Sequence, residues 1–166
     1  MQLALDAETA GEPGFRGPEV CKIAGISYRQ LDYWTRTGLI SPSIAEARGS
    51  GTQRLYSYRD LVEVKVIKSL LDGGVALRQA RRAIEYLREQ GGDLASASLV
   101  IDGSNSVLAR TDAEMVDLVR RGQGVLNIVP LAGVTEELQA RITELRPVRQ
   151  DETDGAGAGS ARSASG

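Results

Sequence analysis

Histidine is absent from this 166-residue sequence, and cysteine occurs once, at Cys21. One thiol cannot close an internal disulfide. Without an imidazole or a cysteine pair, a zinc, copper or mercury site has no ligand set. No apolar run reaches the roughly 20 residues that span a bilayer, so no membrane partner is expected. The acidic first 14 residues lack the basic and apolar regions of a secretory signal. A reducing cytoplasm is the expected home. There is no nucleophile–base–acid set, no Walker motif and no dinucleotide fingerprint, so neither catalysis nor a cofactor is expected.

What is present is an uneven distribution of charge. The net charge is −2 and the pI about 5.3, which taken whole argues against a nucleic-acid ligand. Residues 15–90, however, hold 13 Lys/Arg against 8 Asp/Glu, while residues 91–166 hold 7 against 11 and residues 1–14 are net −3. That asymmetry points to a basic binding module joined to an acidic partner domain.

The densest placement of signals lies between residues 19 and 56. Pro18 suits a first helical turn because its missing N–H needs no partner there, and Glu19 favours the helix dipole. Val20, Ile23 and Ala24 form a short apolar face, and Gly25 ends the helix. Ser27 is a good N-cap for a second helix, with Leu31 and Trp34 facing the first. Gly38 ends that helix and Leu39–Ile40 begins an extended segment. Residues 42–52 are loop-like, with Gly49, Ser50 and Gly51 at the tip, and Gln53–Tyr56 reads as a returning strand. Two short strands of this kind make a wing.

Further on, Ser57 with Asp60 caps a helix carrying Leu61, Val64, Ile67, Lys68 and Leu71 at helical spacing. Leu77, Ala80, Ile84 and Leu87 mark another, with Arg78, Arg81, Arg82 and Arg88 exposed or snorkelling. Gly91–Gly92 is a boundary. Strands at 97–101 and 106–110 flank the turn signal Asp102-Gly103-Ser104-Asn105. Thr111 with Glu114 caps a helix whose buried face is Met115, Leu118 and Val119. A strand at 125–129 and a helix at 135–145 complete a ββαβα unit. At about 50 residues it is small to stand alone, and gains by pairing with a second copy or docking on the first domain. Residues 147–166 read as disordered.

Glu19-Val20-Cys21-Lys22, Ile26-Ser27, Arg29, Leu31, Tyr33, Trp34, Arg36 and Gly38-Leu39-Ile40 together resemble the DNA-binding domain of MerR-type transcription regulators. Arg54-Leu55-Tyr56-Ser57 and Asp60-Leu61 are similar to that family's wing exit and third helix, and Leu70, Gly74 and Leu77 continue the pattern. The resemblance covers residues 15–90. It implies an N-terminal winged helix-turn-helix (four helices plus a two-stranded wing), which with the small C-terminal ββαβα unit read above makes an α+β chain. It further implies a homodimer on an inverted repeat of double-stranded promoter DNA, distorting it so as to modulate transcription, with RNA polymerase as a further partner.

The recognition helix would be Ser27–Thr37. By position, Arg29 resembles a groove- and phosphate-contacting arginine, Tyr33 and Arg36 resemble backbone contacts, and Arg54 a wing contact. The DNA-facing set is Arg16, Ser27, Tyr28, Arg29, Tyr33, Arg36, Arg48 and Arg54. An excisionase-like architectural protein and a module contacting the transcription machinery stand as alternatives.

Three features depart from the family pattern, one of them Trp34, which replaces a common tyrosine and is read as added core packing. Asp32 stands where arginine is common, and is read either as orienting Arg29 or Arg36 or as accepting from a cytosine amino group. Gly91–Gly92 interrupts where a long dimerisation helix is usual, so residues 93–146 are expected to build the dimer or take an effector. Residues 1–14 are read as a flexible N-terminus. Cys21 is read as buried packing rather than a sensor thiol. Arg120 and Arg121 before Gly122 are read as dipole partners at a helix end rather than a phosphate cradle.

Overall fold

The computed structural model describes residues 14–45, 54–90, 95–103, 105–122, 124 and 126–146. Arg48, the expected wing tip, the Gly91–Gly92 boundary, the first 13 residues and the tail from 147 lie outside them.

The chain opens with a two-residue strand, β1 (Phe15–Arg16), leading directly into α1 (Gly17–Ala24). The Glu19 carboxylate accepts from the Arg16 N–H at 3.4 Å, meeting one of the unpaired donors of the first turn. Gly25 follows at φ 72°, where a side chain would be strained. Then comes α2 (Tyr28–Arg36), held at its start by a reciprocal box: Gln30 N–H donates to Ser27 Oγ and Ser27 N–H to Gln30 Oε1, both at 3.1 Å. The N-cap follows from the sequence alone. Ile26, Leu31 and Trp34 are buried against the rest of the core, as their spacing requires.

The wing differs in its strands from the sequence expectation. Leu39 and Ile40 are not extended arms. Their N–H groups both donate to Trp34 O, at 2.9 and 3.2 Å, and their side chains are fully buried. Burying two large apolar side chains outweighs their β-propensity here. The partner of the returning strand β2 (Leu55–Tyr56) is instead Ala45 on one side and β1 on the other, with Phe15 opposite Tyr56 and Arg16 opposite Leu55. The N-terminal strand thus braces the wing base.

Next is α3 (Tyr58–Asp72), capped by Ser57. Asp60 reaches back to Ser57 N–H at 2.8 Å and also accepts from the Ser43 N–H and hydroxyl at 2.8 and 2.7 Å, pinning the wing's entry to this helix. The expected single apolar stripe is too narrow. Leu70 rather than Leu71 is buried, with Val66 and Glu63, because α3 is covered on more than one side. One cover is α4 (Leu77–Glu89), which buries Ala80, Ala83, Ile84 and Leu87.

The second unit is β3 (Ser98–Asp102), β4 (Asn105–Ala109), α5 (Asp112–Arg121), β5 (Leu126–Pro130) and α6 (Leu131–Leu145), in the expected ββαβα order. The sheet order is β4-β3-β5, antiparallel throughout, with Leu108, Leu99 and Val129 in one row and Val107, Val100 and Ile128 in the next. Gly103 takes φ 58° in the hairpin turn. Helix α6 begins four residues earlier than the 135–145 span expected from the sequence, burying Leu131, Val134 and Leu138. It lies against α3 and α1, so both units share one apolar core. Lys65 Nζ meets Glu137 Oε1 at 2.8 Å. Arg146 grips both Glu19 oxygens, with Nε and Nη2 each 2.9 Å from one, and its guanidinium stacks 4.3 Å above the Phe15 ring.

The expectation for α5 fails. None of its residues is buried. Met115 and Leu118 are half-buried, and Val116 and Val119 are 48% and 49% exposed. Its chief contact is β4, too small a surface to cover the whole apolar side of a helix.

Candidate nucleic-acid interface

Helix α2, the expected recognition helix, is held by polar contacts at its C-terminal end. Gly38, at φ 76°, turns the chain back. The carbonyls that α2 and this turn leave open are then met from α4: Arg81 Nη1 donates to Thr37 O at 3.1 Å, and Arg88 Nη2 to Leu39 O at 2.8 Å. Arg88 also makes a two-pronged pair with Glu63, Nε–Oε1 3.1 Å and Nη2–Oε2 3.0 Å. Both are exposed or snorkelling, as the sequence suggests, and their guanidinium groups also hold the frame of the helix.

Arg88→Ala would strand Glu63, whose side chain is only 10% exposed. Full burial of such a pair would make the loss about 3–5 kcal/mol. With Arg88 itself one-third exposed, about 2–3 kcal/mol is expected, read as a lower urea midpoint.

The outward face of α2 carries Ser27, Tyr28, Arg29, Tyr33 and Arg36, all exposed, Tyr28 at 62% and Tyr33 at 48%. Arg29, Tyr33 and Arg36 recur at spacing 4 and 3 and so share one stripe. Tyr28 lies beside Gly17, where an added Cβ would meet its ring at 3.3 Å, and this sets it next to Arg16 on β1. Arg16 is exposed, and Arg54 is half-buried just before β2. Seven of the eight expected DNA-facing residues are described: five on or at the start of α2, Arg16 on β1 and Arg54 just before β2.

Asp32 joins α2 to the wing base. Its Oδ2 accepts from Arg36 Nε at 2.8 Å and its Oδ1 from Arg54 Nη1 at 2.9 Å. Of the orientations open from the sequence, Arg36 is found. Arg29 is not a partner, and Arg54, 22 positions away, is an addition. One turn of α2 further on, Tyr56 OH and Thr35 Oγ1 lie 2.9 Å apart. The Arg54 hydrogen bond above all, with the charge of Arg36, holds the Asp32 carboxyl below its usual range against a smaller opposing effect of burial. Its contribution to the frame is complete above the ordinary carboxylate range and is lost only as pH falls through that lowered value.

Cys21 is half-buried and packs against the core, and burial raises its pKa, which disfavours the thiolate. Arg121 is tied to Asp117 at 2.8 Å. Among the described residues there is no cluster of His, Cys, Asp or Glu suited to a metal ion, and no helix long and apolar enough to cross a membrane.

Residues 15–87 match the protein family described as "MerR HTH family regulatory protein". HTH-type transcriptional regulators of Mycobacterium tuberculosis and Mycobacterium bovis are 47% identical over 139 residues, 83% of this chain and 61% of theirs. The chain therefore spans about three-fifths of the length of these relatives. A match of 139 residues within 166 necessarily reaches into the second unit. The HTH-type transcriptional regulator HmrR of Sinorhizobium medicae is 24% identical over 102 residues, 61% of this chain and 67% of its own.

Proposed function

Since residues 15–87 form a MerR-family helix-turn-helix domain, we propose that the chain acts as a sequence-specific transcription regulator that binds an inverted-repeat promoter site as a homodimer and distorts it. The observation that carries this reading is the join between α2 and the wing base: α2 exposes Arg29, Arg36, Tyr28 and Tyr33, and Asp32 bonds Arg36 on α2 to Arg54 at the wing base. Arginines of this density suit phosphate and guanine contacts. Tyr28 and Tyr33 offer hydroxyls to the backbone.

Pairing across the palindrome falls, in this reading, to α5 and the adjoining sheet face. Val116 and Val119 on α5, together with Val107 and Ile128 on the sheet, expose apolar surface beside buried Val100. The helix is acidic in its first turn, at Asp112 and Glu114, and basic in its last, at Arg120 and Arg121. Two copies set antiparallel about a two-fold axis would bring each acidic end onto a basic one, as a self-complementary interface requires.

The test is selection of bound duplexes from random sequence, followed by titration of the winner against a scrambled version. An inverted repeat is expected, with saturable binding at physiological salt. Equal affinity for scrambled DNA would overturn the reading. Arg29→Ala is expected to weaken the selected site by about 1–3 kcal/mol, roughly 5- to 150-fold, and to relax preference at the base it faces. In vitro transcription on that site separates regulation from purely architectural bending.

A further inference from the structure

We propose that Asp32 is a specificity-determining positioning residue: its carboxylate holds Arg36 of the recognition helix and Arg54 of the wing base in one frame, and withholds both guanidinium groups from phosphates that do not match that frame. The inference rests on the DNA-binding reading above and concerns how the same surface discriminates.

Each carboxylate oxygen takes one arginine, so neither guanidinium can leave without exposing the anion. Arg36 is 64% exposed and on its own would be free to seek any nearby phosphate. Arg54 is better covered, at 27%. Binding without sequence preference is almost wholly electrostatic, and it gains from every cation that can swing to a phosphate. An anion amid those cations weakens that mode most, because an arginine must break from Asp32 to follow an arbitrary backbone. At a matching site the two arginines already stand at the required spacing, so ordering them costs little. The Tyr56–Thr35 contact joins the same two elements independently, so the fold does not hang on Asp32 alone.

The test compares wild-type full chain with Asp32→Asn on the selected duplex and on its scrambled form, across a salt series. The wild type must first prefer the selected duplex; if it does not, the DNA-binding reading falls, and this inference with it. Given that preference, Asp32→Asn is expected to tighten scrambled binding roughly three- to tenfold and to steepen its salt slope by about one unit. The preference for the selected site shrinks accordingly. Asp32→Glu, which keeps the charge, should restore the wild-type slope. A folded Asp32→Asn with unchanged scrambled affinity and slope would overturn the proposal. So would lost affinity for the selected duplex alone, which would make Asp32 a base reader. Loss of the unfolding transition in Asp32→Asn would overturn it too, assigning Asp32 to the fold.

Discussion

If α5 carries the proposed pairing, protein with Val116→Asp and Val119→Asp together is expected to sediment as a folded monomer and to bind the proposed inverted repeat about 100- to 10,000-fold more weakly than wild type, with half-site binding little changed. The size of the effect comes from linkage. Once one half of a dimer is seated, the other faces its half-site at an effective concentration near millimolar, and a monomer loses that second event entirely. The fold should tolerate the change, because both valines are about half exposed and contribute little to the core. Sedimentation velocity and titration on whole and half sites provide the check. An intact dimer in this variant would move the pairing surface elsewhere.

Trp34→Ala is expected to cost about 3–5 kcal/mol, enough to remove most of the stability of a small domain. Trp34 is 3% exposed, on the inward side of the same helix whose outward side carries Arg29, Tyr33 and Arg36. Its carbonyl also receives both N–H groups of the Leu39–Ile40 turn. A cavity at this position therefore loosens the helix and the turn that aims it. Urea unfolding gives the loss directly. DNA binding should recover at low temperature or with added duplex, since a ligand that binds only the folded state stabilises it by mass action.

Much of this arrangement could be read from the sequence, because it is encoded locally. Gly25 and Gly38 mark turns needing positive φ, Ser27, Ser57 and Thr111 mark helix starts, and the ββαβα order follows from alternating strand and helix signals. The cap positions come from side chains within three residues of the donors they satisfy, and such chemistry survives in any tertiary setting. What escaped depends on distant partners. Phe15–Arg16 is too short to show a period, and it becomes a strand only because Leu55–Tyr56 lies alongside. Leu39–Ile40 alternates with nothing and is buried by the core instead.

The breadth of burial on α3 needs α6, whose Glu137 meets Lys65 from 72 positions away. At the surface proposed to face DNA, the helix was legible from its cap and its glycine stop. The bond from Asp32 to Arg54 was not, since no spacing rule links residues 22 apart across a loop. Arg81 and Arg88 are exposed or snorkelling, as read, but the carbonyls they meet on another element carry no local signal. The apolar residues of α5 gave an error, a buried face inferred where the sheet leaves it largely open.

The contact between Arg146 and the β1–α1 corner also bears on the order in which the protein is made. Glu19 and Phe15 leave the ribosome early, but their partner follows 127 positions after Glu19. At synthesis rates of about 5–20 residues per second, that is on the order of 6–25 s. During that interval the first strand has β2 available but lacks its clamp, and the face of α3 destined for α6 stands open to water. The helix-turn-helix can form locally while it waits, since its contacts are short in sequence. The strand that braces the wing base reaches its final state only once Arg146 has been made. Completion of the wing base is in this sense timed by the last turn of α6.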